Sequence, residues 1–294
     1  MGQLPLDVID EASGLVATSE HLLHINDSGA EAEIFWTRWD GTLVTKYKIS
    51  SSKYYDTEGL AFFEQDGAFY LIIGDIGDNQ YRRGTSTTGW FSSLRSVPKT
   101  ALHIFKLSSL SPHEPPQFLH TISLSFPDGP HNSEGIAVHP KTGDLYLITK
   151  ESQFENFGHK PSQLLRIDRN AWISGELDEI TWKKVRDIPF HEINATSDNF
   201  GKLTTGFDIA ADGTFVILTY DNAISIDEEA ALNDKVEIKK DENTFVIPTV
   251  SLIQEEAISF VHGNSKQIFY TSERGLGINP LSDEAPIYMM QCKD

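Results

Sequence analysis

Asn132-Ser133-Glu134-Gly135-Ile136-Ala137-Val138, then the turn 139–144, then Leu145-Tyr146-Leu147-Ile148-Thr149-Lys150, is the stretch whose reading decides the fold. It runs polar residue, small residue, short apolar strand, tight turn, and a second strand that ends in polar side chains. The chain repeats this pattern four more times. Ser13-Gly14-Leu15 precedes His24-Ile25-Asn26-Asp27, and Glu58-Gly59-Leu60-Ala61 precedes Ile72-Ile73-Gly74-Asp75. Thr205-Gly206-Phe207 precedes Ile217-Leu218-Thr219-Tyr220, and Glu256-Ala257-Ile258 precedes Tyr270-Thr271-Ser272-Glu273. Long-period repetition of a strand pair points to a radial repeat architecture.

The expected fold is therefore all-β: a five-bladed β-propeller in one domain spanning residues 1–294. Strands are expected near 13–18, 21–26, 32–37 and 42–49 for the first blade, with Trp39-Asp40-Gly41-Thr42 as a hairpin turn. The second blade takes 58–64, 67–73, 102–107 and 118–126, with a long polar insertion from Asp75 to about Lys99. The third takes 134–138, 144–149, 162–168 and 179–187. The fourth takes 205–210, 214–219, 222–226 and 244–247, with a charged insertion at 228–243 that suits a helical turn. The fifth, with 256–261, 266–272 and 285–291, is one strand short. Residues 4–9 are expected to supply that strand and close the ring, which protects the sheet edges. Six blades is the rival count, but no further inner strand pair is readable in 75–125 or 187–202.

The bulk chemistry narrows function. Of 294 residues, 39% are hydrophobic, with five Trp and seventeen Phe, ample for a core. The net charge of -19 disfavours nucleic acid and anionic membranes and attracts divalent cations. The single cysteine, Cys292, excludes an internal disulfide. No run approaches the ~18 apolar residues of a membrane helix. The start Met1-Gly2-Gln3-Leu4-Pro5 has no basic-then-apolar segment, which leaves a cytoplasmic location or, with a trimmed signal, a secreted or periplasmic one. A monomer is expected.

In a propeller the first strand of each blade lines the central channel. The small residue of each repeat (Gly14, Gly59, Gly135, Gly206, Ala257) suits that crowding. The side chains before them, Ser13, Glu58, Glu134, Thr205 and Glu256, then stand at one level around the axis. Carboxylates so placed repel one another, and burial makes this worse. No Lys or Arg holds an equivalent ring position, so a cation is expected. An all-oxygen set suits Ca²⁺; zinc is disfavoured because no His or Cys joins. The plainer alternative is that these are strand-start polar residues satisfied by backbone amides. Asp56, Asp208 and Glu255 are substitutes if the register slips.

Second strands run antiparallel to the first, so their ends open on the same face. That face gathers Asp27, Asp75, Lys150, Tyr220 and Glu273. Its loops add Asp78, Asn79, Arg82, Arg83, His131, Asn132, His159 and Arg274. Lys150, Arg82 and Arg83 suit an anionic substrate, and Asp75 or Asp78 suits a base or a support for a metal ligand. Asp27, Asn79, His131, Asn132, Tyr220, Glu273 and Arg274 are candidate substrate contacts. A purely structural loop, with Asp and Asn capping their own backbone, is the competing reading of 74–79. The opposite face shows only short turns.

Two resemblances follow. Gly74-Asp75-Ile76-Gly77-Asp78-Asn79, with Asn26-Asp27-Ser28-Gly29, His131-Asn132-Ser133-Glu134 and Thr205-Gly206-Phe207-Asp208-Ile209, resembles an uncharacterised, often secreted bacterial propeller-like family. Glu134-Gly135 stands where that family suggests Glu-Ala. The ring order Ser, Glu, Glu, Thr, Glu is similar to that of the calcium-activated apyrases, five-bladed propellers that hydrolyse nucleoside di- and triphosphates. That likeness implies Ca²⁺ held by Ser13, Glu58, Glu134, Thr205 and Glu256, and a Ca²⁺-dependent hydrolase acting on phosphoanhydrides or phosphoesters. The alternative is a non-catalytic propeller that binds a protein or glycan through Trp90, Phe91, Phe154 and Phe157, with Ca²⁺ as a staple. No Gly-x-Ser-x-Gly elbow and no P-loop is present.

Overall fold

The computed structural model describes residues 2–27, 29–84, 97–151, 160–194, 200–250, 254–272 and 285–291. The described chain is nearly all strand. The first blade is β2 (Ala12–Ala17), β3 (His21–Asn26), β4 (Glu33–Arg38) and β5 (Leu43–Lys48), and a two-residue β1 (Gly2–Gln3) precedes it. The second is β6 (Thr57–Gln65), β7 (Ala68–Asp75), β8 (Ala101–Leu107) and β9 (Gln117–Ser125). The third is β10 (Ser133–Val138), β11 (Leu145–Thr149), β12 (Ser162–Ile167) and β14 (Lys183–Ile188), with β13 (Glu179–Thr181) set apart. The fourth is β15 (Thr204–Ile209), β16 (Phe215–Thr219), β17 (Asn222–Ile226) and β18 (Thr244–Pro248). The fifth is β19 (Glu255–Val261), β20 (Asn264–Ser272) and β21 (Pro286–Gln291).

The first strands stand side by side in a closed cycle: β2 by β6, β6 by β10, β10 by β15, β15 by β19, and β19 by β2. Each of five buried apolar clusters joins two neighbouring blades. Ile136 and Val138 pack against Ala61 and Ile72, for example, and Val16 and Leu23 against Leu60 and Leu71. Between the inner strands themselves only one bridge is formed, Val261 to Ala17. Burial of apolar surface between sheets, rather than a continuous hydrogen-bond ladder, therefore holds the ring together.

Two expected strands are corrected. Residues 4–9 are a turn, because the Pro5 carbonyl accepts the amides of Val8 and Ile9 (2.9 Å each). The N-terminal strand that completes the last blade is Gly2–Gln3, paired with Pro286 and Ile287 of β21. The turn contributes instead by burying Leu4 and Ile9 between the first and last blades. The expected strand 179–187 divides at Trp182. Its first part, β13, lies parallel to β9 and widens the second blade, while β14 pairs with β12. The Trp182 amide donates to Ser125 O (2.9 Å), and its ring is buried where the two sheets part.

Ile9 is fully buried at the seam, so Ile9→Ala should cost about 2–5 kcal/mol of stability. The exposed Val44→Ala should stay within about 0.5 kcal/mol. Urea unfolding of both variants beside the unmodified chain measures the difference.

Candidate functional site

The five ring positions share one backbone device. Each inner strand begins with a register shift against its second strand, at Ala12/Gly14, Thr57/Gly59, Ser133/Gly135, Thr204/Gly206 and Glu255/Ala257. Ser13, Glu58, Glu134, Thr205 and Glu256 are the skipped residues. A β-bulge leaves one residue out of the ladder and re-aims its side chain. The small residue that follows is forced by space. A Cβ on Gly135 would lie 2.6 Å from Phe207 Cβ on the next blade.

Ser13, Glu58 and Glu134 line a narrow axial space with Gly59, Gly135 and Gly206. Thr205 and Glu256 hold the same bulge position but are not among the described residues that line it. Ser13 Oγ donates to Thr57 O (2.6 Å). Thr205 Oγ1 is buried with no hydrogen-bond partner among the described residues.

A basic group does reach this mouth, contrary to the expectation from ring positions alone. Lys150 follows β11 and is 8% exposed. Its Nζ lies 3.2 Å from Glu134 Oε1 and donates to the Tyr220 hydroxyl (2.8 Å), 4.9 Å from the centre of that ring. Burial alone would discharge it. The charges of Glu134 and Glu256 and the hydrogen bond to Tyr220 outweigh burial, and the Lys150 pKa lies well above its ordinary value. Asn132, fully buried, organises the same side. Its Nδ2 donates to Glu134 Oε1 (2.9 Å) and Asn79 Oδ1 (3.0 Å), and its Oδ1 accepts from the Asp78 and Ser133 amides (2.7 and 3.0 Å).

Opposite Lys150, at the junction of the first two blades, three carboxylates meet. Asp27, Asp56 and Glu58 each place an oxygen within 4.8 Å of the others. Asp56 is 9% exposed and Glu58 6%, and neither carboxylate has a hydrogen-bond or ion-pair partner among the described residues. Burial, with Asp27 and Glu134 nearby, pushes Asp56 up to about 7. Burial, then Glu134, Asp27 and Asp56, lift Glu58 well above its usual range. Gly77 makes room for this group, since a Cβ there would lie 2.5 Å from Asp56 Oδ2. Three carboxylates without nitrogen or sulfur donors fit a hard cation such as Ca²⁺. The sequence signal for Asp56 was its place two residues before Glu58; nothing in the spacing foretold that Asp27 would join it.

The loop after β7 is locked. Arg83, buried, forms an ion pair with Asp75 and lies 4.7 Å from the centre of the Tyr55 ring. The Asp75 carboxylate also accepts the amides of Tyr55 and Asp56 (3.0 Å each). Burial on its own would raise the Asp75 pKa; His103, whose Nε2 lies 3.9 Å away, Arg83 and the two amides outweigh it and lower it. Asp78 accepts the amides of Arg82 and Arg83 (2.8 and 2.9 Å). The Arg82 residue is exposed. Asp75 thus holds Asp56 in place, and Asp78 closes the loop. His131 lies to the side, with Nδ1 2.9 Å from Glu151 Oε1 and Nε2 2.9 Å from Asp128 Oδ1. His159, Glu273, Arg274 and the aromatic candidates Trp90, Phe91, Phe154 and Phe157 lie outside the described residues.

No protein-family model matches the chain, and no curated protein matches it by sequence. Solved structures similar to it are propellers. A gluconolactonase from Xanthomonas campestris is 14% identical, with 96% of this chain and 72% of that one covered and a TM-score of 0.42. Regucalcin from Agrobacterium tumefaciens, described as calcium-binding, is 12% identical, with 99% and 93% covered and a TM-score of 0.45. A PQQ-bound aldose sugar dehydrogenase from Streptomyces coelicolor is 12% identical, with 96% and 94% covered and a TM-score of 0.47. What those proteins bind or catalyse remains theirs.

His131 yields a pH signature. Burial opposes its charged form, but its hydrogen bonds to Glu151 and Asp128 win and raise its pKa. The resulting stability is fully present below its unfolded value of about 6.5 and is lost as pH rises through the folded-state value. Melting temperatures from pH 5.5 to 8.5 should fall more steeply for the unmodified chain than for His131→Gln; equal slopes would refute the assignment.

Proposed function

We propose that this chain is a Ca²⁺-dependent hydrolase acting at the ring mouth on a small anionic substrate, with phosphoanhydrides or phosphoesters as the first class to test. One observation carries the reading: the carboxylates of Asp56 and Glu58, without hydrogen-bond or ion-pair partners among the described residues, gather with Asp27 at the mouth that Lys150 also reaches. Asp27, Asp56 and Glu58 would hold the ion. The Ser13 hydroxyl, which lines the same space as Glu58, is close by. Glu134, Thr205 and Glu256 complete the oxygen-bearing ring. When bound, Ca²⁺ supplies Lewis-acid polarisation of a substrate oxygen and a template for water.

The chain's own groups do the rest. Lys150 keeps its proton, and its ammonium is fixed by Glu134 and Tyr220, so it offers a preorganised positive charge for an anionic oxygen. Asn132 fixes Glu134 and thereby Lys150. Asp75 orients the Asp56 backbone, and Arg83 fixes Asp75. Arg82, exposed on the same loop, would add positive charge near the mouth.

A second reading is favoured by the consumption of Asp75 and Asp78 in internal contacts, which leaves neither as a free base. In it, Ca²⁺ joins the first two blades and the face binds a protein or glycan without catalysis.

Phosphate release from nucleoside di- and triphosphates and from p-nitrophenyl phosphate, with Ca²⁺ and with chelator, separates the two. The hydrolase reading expects Ca²⁺-dependent turnover, lowered about 10²–10³-fold by Lys150→Met. Asp56→Asn and Glu58→Gln should each weaken Ca²⁺ binding at least about tenfold, by loss of one charged ligand. Bound Ca²⁺ with a raised melting temperature but no turnover on any substrate supports the staple and removes the hydrolase.

A further inference from the structure

The channel has a second mouth, and its chemistry differs. Below Ser13, Glu58 and Glu134 the axis is narrow, with about 10 Å³ of space among the glycine ring, Leu60, Ile136, Phe207 and Ile258. Past this narrow stretch, where the inner strands end, a cavity of about 280 Å³ opens. It is a separate chamber, and nothing in the ring-mouth chemistry uses it.

Its lining is mixed, with Leu60, Phe62, Ile209 and Phe260 supplying the apolar part. Its charges are all acidic: Asp208 in the wall, and Glu64 and Asp66 at the rim. No Lys or Arg is among the described lining residues. Asp208 is firmly placed. Its Oδ2 accepts from the Phe260 amide (2.7 Å) and Ser259 Oγ (3.1 Å), and its Oδ1 from the Ile209 amide (2.8 Å). An ionised carboxylate has about four acceptor sites, so one remains for a ligand. Burial raises its pKa to about 6, which still leaves it mostly charged at neutral pH. Glu64 is held by His262 (Nε2 to Oε2, 3.0 Å), whose ring stands edge-on to Phe62 at 4.8 Å.

We infer that this lower chamber is a binding site for a small organic cation, an ammonium head on a short apolar body. The head takes the open acceptor site of Asp208 and the negative rim; the body covers Leu60, Ile209 and Phe260. The chamber lies just under the ~300–1,000 Å³ of drug-sized ligand sites, which limits the occupant to a few carbons. A free metal ion is a poor fit, because Asp208 is the single carboxylate in the described wall, short of the about 6–8 oxygens a hard cation takes. An anionic ligand is disfavoured by Asp208 and by Glu64 and Asp66 at the rim.

Isothermal titration of the full chain with n-butylammonium, n-butanol and butyrate tests this. Butylammonium should bind one-to-one and at least tenfold tighter than butanol, with no binding of butyrate. Asp208→Asn should weaken it at least tenfold. Asp208 also ties the fourth blade to the fifth, so Ala211→Phe, on an exposed turn at the rim, serves as a variant that narrows the entrance and spares the core; it should weaken binding at least tenfold as well. Butylammonium binding no tighter than butanol, or binding untouched by Ala211→Phe, overturns the inference. So does loss of binding in Asp56→Asn, which would place the ammonium in the upper mouth instead.

Discussion

Crowding at the axis is the constraint on which this structure depends. Five inner strands converge until the residue after each bulge has no room for more than hydrogen or a methyl group. Gly135 lies so close to the neighbouring blade that a side chain would strike Phe207 and the backbone of Gly206. That closeness lets apolar side chains seal the seams between blades, and those seams hold the ring. The bulge is the accommodation: it drops one residue from the ladder and sends its side chain towards the mouth. Fold and site are thus one geometric decision made five times.

The charge distribution at the mouth is lopsided. On the side of the third and fourth blades, Lys150 compensates Glu134 and is steadied by Tyr220. On the side of the first and second blades, the carboxylates of Asp27, Asp56 and Glu58 come together. Asp75 and Asp78, which look chemically available in the sequence, spend their oxygens on amides and on Arg83. The free acidity lies one layer inward, on Asp56 and Glu58. Negative charge gathered between the first two blades thus faces a buried ammonium held by the third and fourth.

Much of the fold was legible because its rule is local. A polar residue, a small residue and an apolar run recur in Ser13-Gly14-Leu15, Glu58-Gly59-Leu60 and Glu134-Gly135-Ile136, and each maps onto the same bulge. The closing strand was harder to place. Leu4 to Ile9 has the apolar content of a strand, but Pro5 turns the chain and only Gly2 and Gln3 pair. Within the site, Lys150 against Glu134 was within reach of the register, since Ser133 pairs with Thr149. The meeting of Asp27 with Asp56 was not, because it depends on the angle between blades. The lower chamber was likewise invisible: its faces are made by the far ends of five strands, and Asp208 reads in the sequence only as a substitute for a ring residue at the other mouth.

The two-residue β1 has a consequence for how the molecule is made. Gly2 pairs with Ile287, so the first described segment finds its partner only in the last. Four blades can assemble from neighbouring sequence as the polypeptide emerges from the ribosome, but the final one stays open until β21 has been made. Loop-closure entropy grows only logarithmically with length, so the long wait adds little to the thermodynamic cost of the clasp. What it adds is time, during which β1 waits without its partner strand and is open to foreign ones. Its two residues make it a small target.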